Sequence, residues 1–406
     1  MSENRRRFLK WTTALGGALT ACSSGEKKQA SAAEDEGPGQ LGKPVSKYGE
    51  RSGFEKTARL TPDTKTPEAA SSRTPLAEIY GIITPNALHF ERHHSGVPAL
   101  DPAQHKLMIH GMVQRPLVLT VDELKRLPSV SRVHFVECSG NSGGEWGTKT
   151  SPDVQRSHGL SSCAEWTGVP LKLLLEEAGL QPNAQWLIAE GADACKMSRS
   201  VPVKKALDDA LIAYAQNGEA LRPEQGYPLR LLLPGWEGNI NVKWLRRLQV
   251  TDAPGYTKDE TSKYTDLLAD GKARMFTFEL DAKSVITRPS GGQKLAGPGF
   301  HEITGLAWSG RGKITRVEVS TDGGATWQPA QLQEPVLSKA FTRFRFPWKW
   351  DGKETVLVSR CSDETGYLQP TREELVAARG MNSNYHCNVM KPWKVAADGS
   401  VKNADA

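Results

Sequence analysis

The chain has 406 residues, 38% of them hydrophobic and 24% charged, enough for two or three domains of about 150 residues. Its 38 glycines and 25 prolines exclude a helical bundle or coiled coil. The formal charge of +6 falls to +3 once the basic first 22 residues are set aside, too weak for nucleic-acid binding to lead, and six cysteines with no C-x-x-C or C-x-x-C-H spacing exclude a disulfide scaffold, a classical zinc ribbon and an attached c-type haem.

At the N-terminus, Arg5-Arg6-Arg7-Phe8-Leu9-Lys10 precedes a short apolar run from Trp11 to Ala21. That run is well short of the ~20 apolar residues that span a bilayer. Paired arginines before Phe-Leu-Lys have the form of a twin-arginine export signal, with a basic tail on an ordinary Sec signal as the alternative. The twin-arginine route suits a protein exported folded, with a cofactor already inserted. Leu19-Thr20-Ala21-Cys22 has the form of a lipobox, in which Cys22 is acylated; cleavage near residues 30–33 is the alternative. Residues 1–32 are therefore expected to be a signal and the mature protein periplasmic, with a lipid on Cys22 as its one candidate membrane anchor. Residues 33–75 are polar, without periodicity, and read as a linker lying over the folded part.

Residues 76–255 mix short helices with buried strands. Thr120-Val121-Asp122-Glu123 opens a helix with a capping box that stops at Leu127-Pro128. Pro170 starts, and Gly179 ends, an apolar helix from Leu171 to Ala178. Val133 to Val136 and Leu229 to Leu233 read as strands, the first running into Glu137-Cys138-Ser139-Gly140-Asn141. Residues 256–279 form a connection. From 280 to 392 the pattern becomes a β-sandwich of immunoglobulin type. Ile314 to Ser320 alternates strictly, Asp322-Gly323-Gly324 supplies a hairpin turn with Trp327 on the returning strand, and Phe341 to Trp350 and Val356 to Val358 are further strands. Residues 393–406 read as a loose tail. The fold class is α+β followed by a sandwich.

Three clusters carry chemistry. Cys138 follows an apolar strand and precedes glycines that let a backbone approach something closely, which suits a poised thiolate ligand; a buried structural cysteine is the bland alternative. Phe90-Glu91-Arg92-His93-His94 packs forked donors that suit a phosphate or oxyanion, whereas adjacent histidines suit one tetrahedral zinc poorly. Arg230, the glycine turn at 235 and 238, and Asn241-Val242-Lys243 again suit a phosphate, against a plain reading as solvated loop charges. Cys163, Cys195, Cys361 and Cys387 read as buried small hydrophobes.

The segments Phe90–His94, Phe135–Asn141, Tyr227–Lys243 and Val317–Trp327 resemble the sulfite oxidase family of molybdenum enzymes. Glu260 to Asp266, Lys283 to Ser290, Asp363 to Tyr367 and Arg379-Gly380-Met381-Asn382-Ser383 extend the likeness, which runs from about residue 76 to 400. Within the family it is strongest to the molybdenum subunits of periplasmic sulfane (sulfite) dehydrogenases. The resemblance implies a molybdopterin-binding domain followed by a sandwich through which the chain forms a homodimer. It also implies one molybdenum–molybdopterin per chain, with Cys138 as the protein thiolate. Phe90, Glu91, Arg92, His93 and His94 match the pterin-side loop, and Asp193, Arg230, Asn241, Val242 and Lys243 match further cofactor contacts. Tyr264, Arg92 and Arg379 match catalytic positions.

Two departures bear on the substrate. Gln225 stands where animal sulfite oxidases carry a cofactor-contacting histidine, and Gly143 where they carry a second substrate arginine. A missing forked donor removes a contact typically worth ~1.5–3 kcal/mol and leaves room for sulfane sulfur on a carrier protein. Trp146 either lines that pocket or merely packs. The implied activity is oxidation of a reduced sulfur compound by oxo transfer. Its electrons pass to a separate c-type cytochrome docked near the cofactor domain, because this chain has no haem motif. The rival readings are a related reductase acting on methionine sulfoxide and a cofactor-free binding or scaffold protein.

Overall fold

The structure, a computed structural model, describes residues 41–147, 151–268 and 270–404. The expected export signal and Cys22 lie outside them. The chain divides into one unit ending at Glu55 and another running from Lys56 to the C-terminus. In the first, residues 41–55 form no helix or strand; all that follows concerns the second. Among the described residues no helix is long and apolar enough to cross a membrane.

The first half of this unit is built on two sheets. One runs Glu219–Ala220, Leu211–Gln216, Ser161–Pro170, Val130–Glu137, with Arg230–Leu232 also paired to Leu211–Gln216. The other runs Leu117–Thr120, Lys106–Gly111, Leu245–Thr251, Trp186–Gly191, Ser198–Pro202. In it, Lys106–Gly111 and Leu245–Thr251 are parallel while their other neighbours are antiparallel. The helix Leu171–Ala178 has the expected bounds because Leu171, Leu174, Leu175 and Ala178 share one buried face, and Gly179 closes it at φ 70°. Thr120 caps Val121–Lys125 through the expected box.

The second half is the sandwich. One sheet orders Lys283–Arg288, Gly299–Trp308, Thr342–Trp350, Gln331–Gln333, and the other Gln328–Pro329, Ile314–Ser320, Thr355–Asp363, Trp393–Val395, Val401–Asn403. Gly323 and Gly324 take the positive φ that the turn after Ser320 requires. Trp327 sits one residue before the short returning strand rather than on it.

Both ends of the sequence partition need correction. The loose tail is two strands, which extend the second sheet and bury Trp393 completely, its indole donating to Ile286 O at 3.1 Å. Residues 393–406 offered no periodicity, and one tryptophan carries the packing. The linker is likewise folded over its last stretch. Ser71–Ser72 pairs with Glu91–Arg92, and fully buried Thr74 bonds Ser162 Oγ at 2.6 Å. The two halves share packing: Phe135 and Cys163 of the first lie in one cluster with Trp308, Phe341 and Phe344 of the second. Arg343 reaches back from the sandwich to donate to the carbonyls of Ile79 and Gly81.

Candidate active site

A pocket lies where loops of this unit meet, lined by residues from five segments of the chain. Cys138 comes first because its strand, Val130–Glu137, ends there. Its N–H donates to Leu160 O at 2.9 Å and its carbonyl accepts from Asn141 N at 2.8 Å. Gly238 crosses so closely that a Cβ would lie 2.7 Å from Glu137 O, so only glycine permits the approach. The thiol is partly exposed to the pocket. Burial pushes its pKa up, and the Arg92 charge pulls it down; a bound cation would decide the contest for the thiolate.

The pocket lining is also cationic. Arg230, 2% exposed, donates to Gln225 O at 3.1 Å and Asn241 O at 3.2 Å, lies 4.8 Å from the centroid of the Trp166 ring, and leaves Nε without a partner. Lys243 Nζ donates to Arg92 O at 3.2 Å, Glu224 O at 3.0 Å and His93 Nδ1 at 2.9 Å. His93 Nε2–H in turn donates to Glu91 at 2.8 Å, which fixes the tautomer. Among the described residues no carboxylate ion-pairs with Arg230 or Lys243. Burial therefore pushes Arg230 down to about 9, and burial with the Arg230 charge pushes Lys243 down to about 7. Two buried cations without a counter-anion are the arrangement an anionic ligand stabilises.

Tyr264 also lines the pocket, and its hydroxyl bonds His94 Nε2 at 2.8 Å. Its backbone takes φ 50°, a conformation L-residues hold only when surroundings impose it. Those surroundings are the Tyr385 ring, with centroids 5.4 Å apart, and the Arg199 guanidinium 5.2 Å over the ring. Arg199 is itself held by Glu237 at 3.0 Å and Glu260 at 3.4 Å. Burial raises the phenol's pKa, while burial and Arg92 push His94 down to about 4. Both are neutral at neutral pH. Arg92 lines the pocket and donates to Ala69 O at 3.2 Å and to His93 O.

Phe90, Arg92, His93, His94, Cys138, Asp193, Arg230, Asn241, Val242, Lys243 and Tyr264 thus converge on one pocket. Glu91 and Arg379 do not line it. Glu91 turns away to Arg59 and His93, and Arg379 is held by Asp281 at 3.0 Å. Asn241 spends its side chain on its own loop, accepting from Leu233 N and donating to the carbonyls of Trp236 and Glu237. Gln225 lines the pocket and donates to Phe90 O at 2.8 Å. Trp146 packs against Leu375, Cys387 and Val389, not on the pocket. Cys195 is exposed rather than buried, its thiol 2.9 Å from Asp193, because it sits on a loop between strands. Asn239 and Trp244, from the same cluster as Asn241 to Lys243, also line the pocket, as do His89 and Met197, which carried no motif.

Among the described residues no cluster of three or more His, Cys, Asp or Glu can hold a bare ion. A metal at Cys138 must therefore bring other donors with it, which fits a cofactor carrying its own sulfurs and a phosphate for Arg230 and Lys243.

Comparison with known proteins gives two family models in tandem: an oxidoreductase molybdopterin-binding domain over residues 94–258 and a Mo-co oxidoreductase dimerisation domain over 274–392. The crystal structure of the sulfane dehydrogenase SoxCD from Paracoccus pantotrophus contains a similar chain, 47% identical with a TM-score of 0.88, over 90% of this chain and 95% of that one. Mitochondrial sulfite oxidase of Mus musculus is 31% identical over 75% of this chain and 60% of its own length, and NADH nitrate reductase of Ulva prolifera 31% over 74% and 39%. The chain thus spans only part of these curated relatives.

Proposed function

The chain belongs to the sulfite oxidase family and is a molybdopterin oxidoreductase of that type, and on that footing we propose that it oxidises a reduced sulfur compound outside the cytoplasm and passes the electrons to a c-type cytochrome. A molybdenum–molybdopterin bound here would supply oxygen-atom transfer to reduced sulfur and accept the two electrons released. Cys138 is the protein thiolate. Arg230 and Lys243 hold the phosphate, which supplies the anion their burial calls for, and His94 and Asp193 face the pterin. Arg92 fixes the substrate's charge. Neutral Tyr264, kept protonated by burial, donates its hydrogen bond toward the substrate instead of to His94.

The substrate follows from counting cations. Gly143 carries none, and Arg379 does not line the pocket but is held at Asp281, which it shares with Arg311, so Arg92 is the substrate's principal arginine. One arginine suits sulfane sulfur on a carrier protein's cysteine better than a free sulfite dianion. The paired arginines at the N-terminus support export by the twin-arginine route, the dimerisation-domain match supports a homodimer, and the partner named in the SoxCD complex supports a separate acceptor subunit.

The observation that carries this reading is that Cys138 and the unpaired cations Arg230 and Lys243 line one pocket. Molybdenum analysis of protein made with intact cofactor synthesis tests it, with about one metal per chain expected in the wild type and a trace in Cys138→Ser. Assay with a cytochrome acceptor should then give faster turnover on a thiosulfate–carrier conjugate than on sulfite. Metal-free wild-type protein under those conditions refutes the assignment.

A further inference from the structure

The loop that carries Cys138 is held at both ends by the other domain. At its start, Glu137 is 1% exposed and accepts from Lys283 Nζ at 2.5 Å, Trp308 Nε1 at 2.6 Å and Asn141 Nδ2 at 2.8 Å. At its end, Glu145 is 4% exposed and accepts from Lys391 Nζ at 2.7 Å, and the next carbonyl, of Trp146, takes two donors from Arg372 at 2.9 and 3.2 Å. Lys283 also lies 3.4 Å from Ser142 Oγ, in the middle of the loop. Lys283, Trp308, Arg372 and Lys391 all belong to the C-terminal half.

Buried lysine–carboxylate pairs are a poor way to gain stability, because desolvating both ions offsets most of their attraction; apolar residues of like size hold a fold together at least as well. What a charged pair adds is direction. Each lysine pins a carboxylate oxygen to a point, and with both pairs in place the residues between have little freedom. Cys138 is bonded to Glu137 through one peptide. We propose that Lys283 and Lys391 are positioning residues for the Cys138 thiolate, so that the sandwich, beyond its part in dimerisation, sets the geometry of the metal's protein ligand. The proposal rests on the reading of Cys138 as that ligand.

Single lysine variants would leave an unpaired buried carboxylate and fail to fold for that reason alone. The test therefore removes both charges of a pair, in Glu137→Gln/Lys283→Met and in Glu145→Gln/Lys391→Met, using the full chain loaded with cofactor. Expected are a melting temperature and oligomeric state close to wild type. Amide exchange at residues 139–146 should be at least tenfold faster, the thiolate-to-metal absorption should shift, and kcat should fall at least tenfold with KM little changed. Wild-type exchange and absorption in both doubles overturns the proposal directly. Cys138→Ser, run alongside, separates the premise: loss of the thiolate absorption with unchanged loop exchange supports it. Retention of that absorption removes the ligand assignment and the proposal with it.

Discussion

At the scale of single residues, the pocket sets function against stability. Arg230 is buried without an anion, so the cofactor-free fold bears its desolvation and the loaded fold does not. Arg230→Met should leave the melting temperature of the cofactor-free protein unchanged or raised, while molybdopterin retained after gel filtration falls about tenfold, as expected for one charge-assisted contact of ~1.5–3 kcal/mol. His89 runs the other way. Its ring stacks on Phe90 and is buried, with Nε2 lacking a partner, and burial pushes its pKa from 6.5 down to about 3. The folded state therefore binds this proton less readily than the unfolded chain. The contribution is whole above about 6.5 and is lost as pH falls toward about 3. His89→Leu should flatten the acid limb of a plot of urea-unfolding free energy against pH in that window; an unchanged slope assigns the acid lability to His134 and His158, also buried and neutral.

At the scale of elements, legibility in the sequence followed the range of the interactions involved. Leu171–Ala178 and Ile314–Ser320 appear with the expected bounds because a capping residue, a turn and a periodic apolar face are all local signals. Around Cys138 the local pattern, an apolar strand running into glycines, left a buried structural cysteine open, and its reading as a ligand came from the family resemblance; the structure places it on the pocket. The C-terminal strands were not legible, because three-residue strands acquire their character from the sheet they join. The same holds for Arg379. A lone arginine before glycine gives no sign that Asp281, far earlier in the chain, will hold it away from the pocket. Trp393 offers the sharpest test of the terminal strands. With its ring fully buried, Trp393→Ala should cost about 3–5 kcal/mol, read as a drop in the urea midpoint at unchanged slope. A cost under 1 kcal/mol would restore the loose tail.

At the scale of the whole molecule, the two halves cannot be treated as separable modules. They share a hydrophobic cluster and buried ion pairs, so a fragment ending at residue 279 should be insoluble, exposing Phe135 and an unpaired Glu137. The intact chain should sediment as a dimer at micromolar concentration, since a sandwich with apolar strand faces most readily meets a second copy of itself; a clean monomer would leave the molybdenum assignment untouched and remove the dimer. The link between Glu145 and Lys391 also sets an order in time. A ribosome delivers the loop around Cys138 long before it delivers the lysine that fastens the loop's far end. Until then the nascent chain has a sheet, a pocket and a thiol, but no fixed place for the thiol to point. Maturation of the metal centre is thus expected to wait until Lys391 has been synthesised, about 250 residues after Cys138. Chains arrested before and after residue 391, compared for protection of Cys138 against a thiol reagent in the presence of cofactor, would show whether protection arrives with that lysine or already with the strand that ends at Glu137.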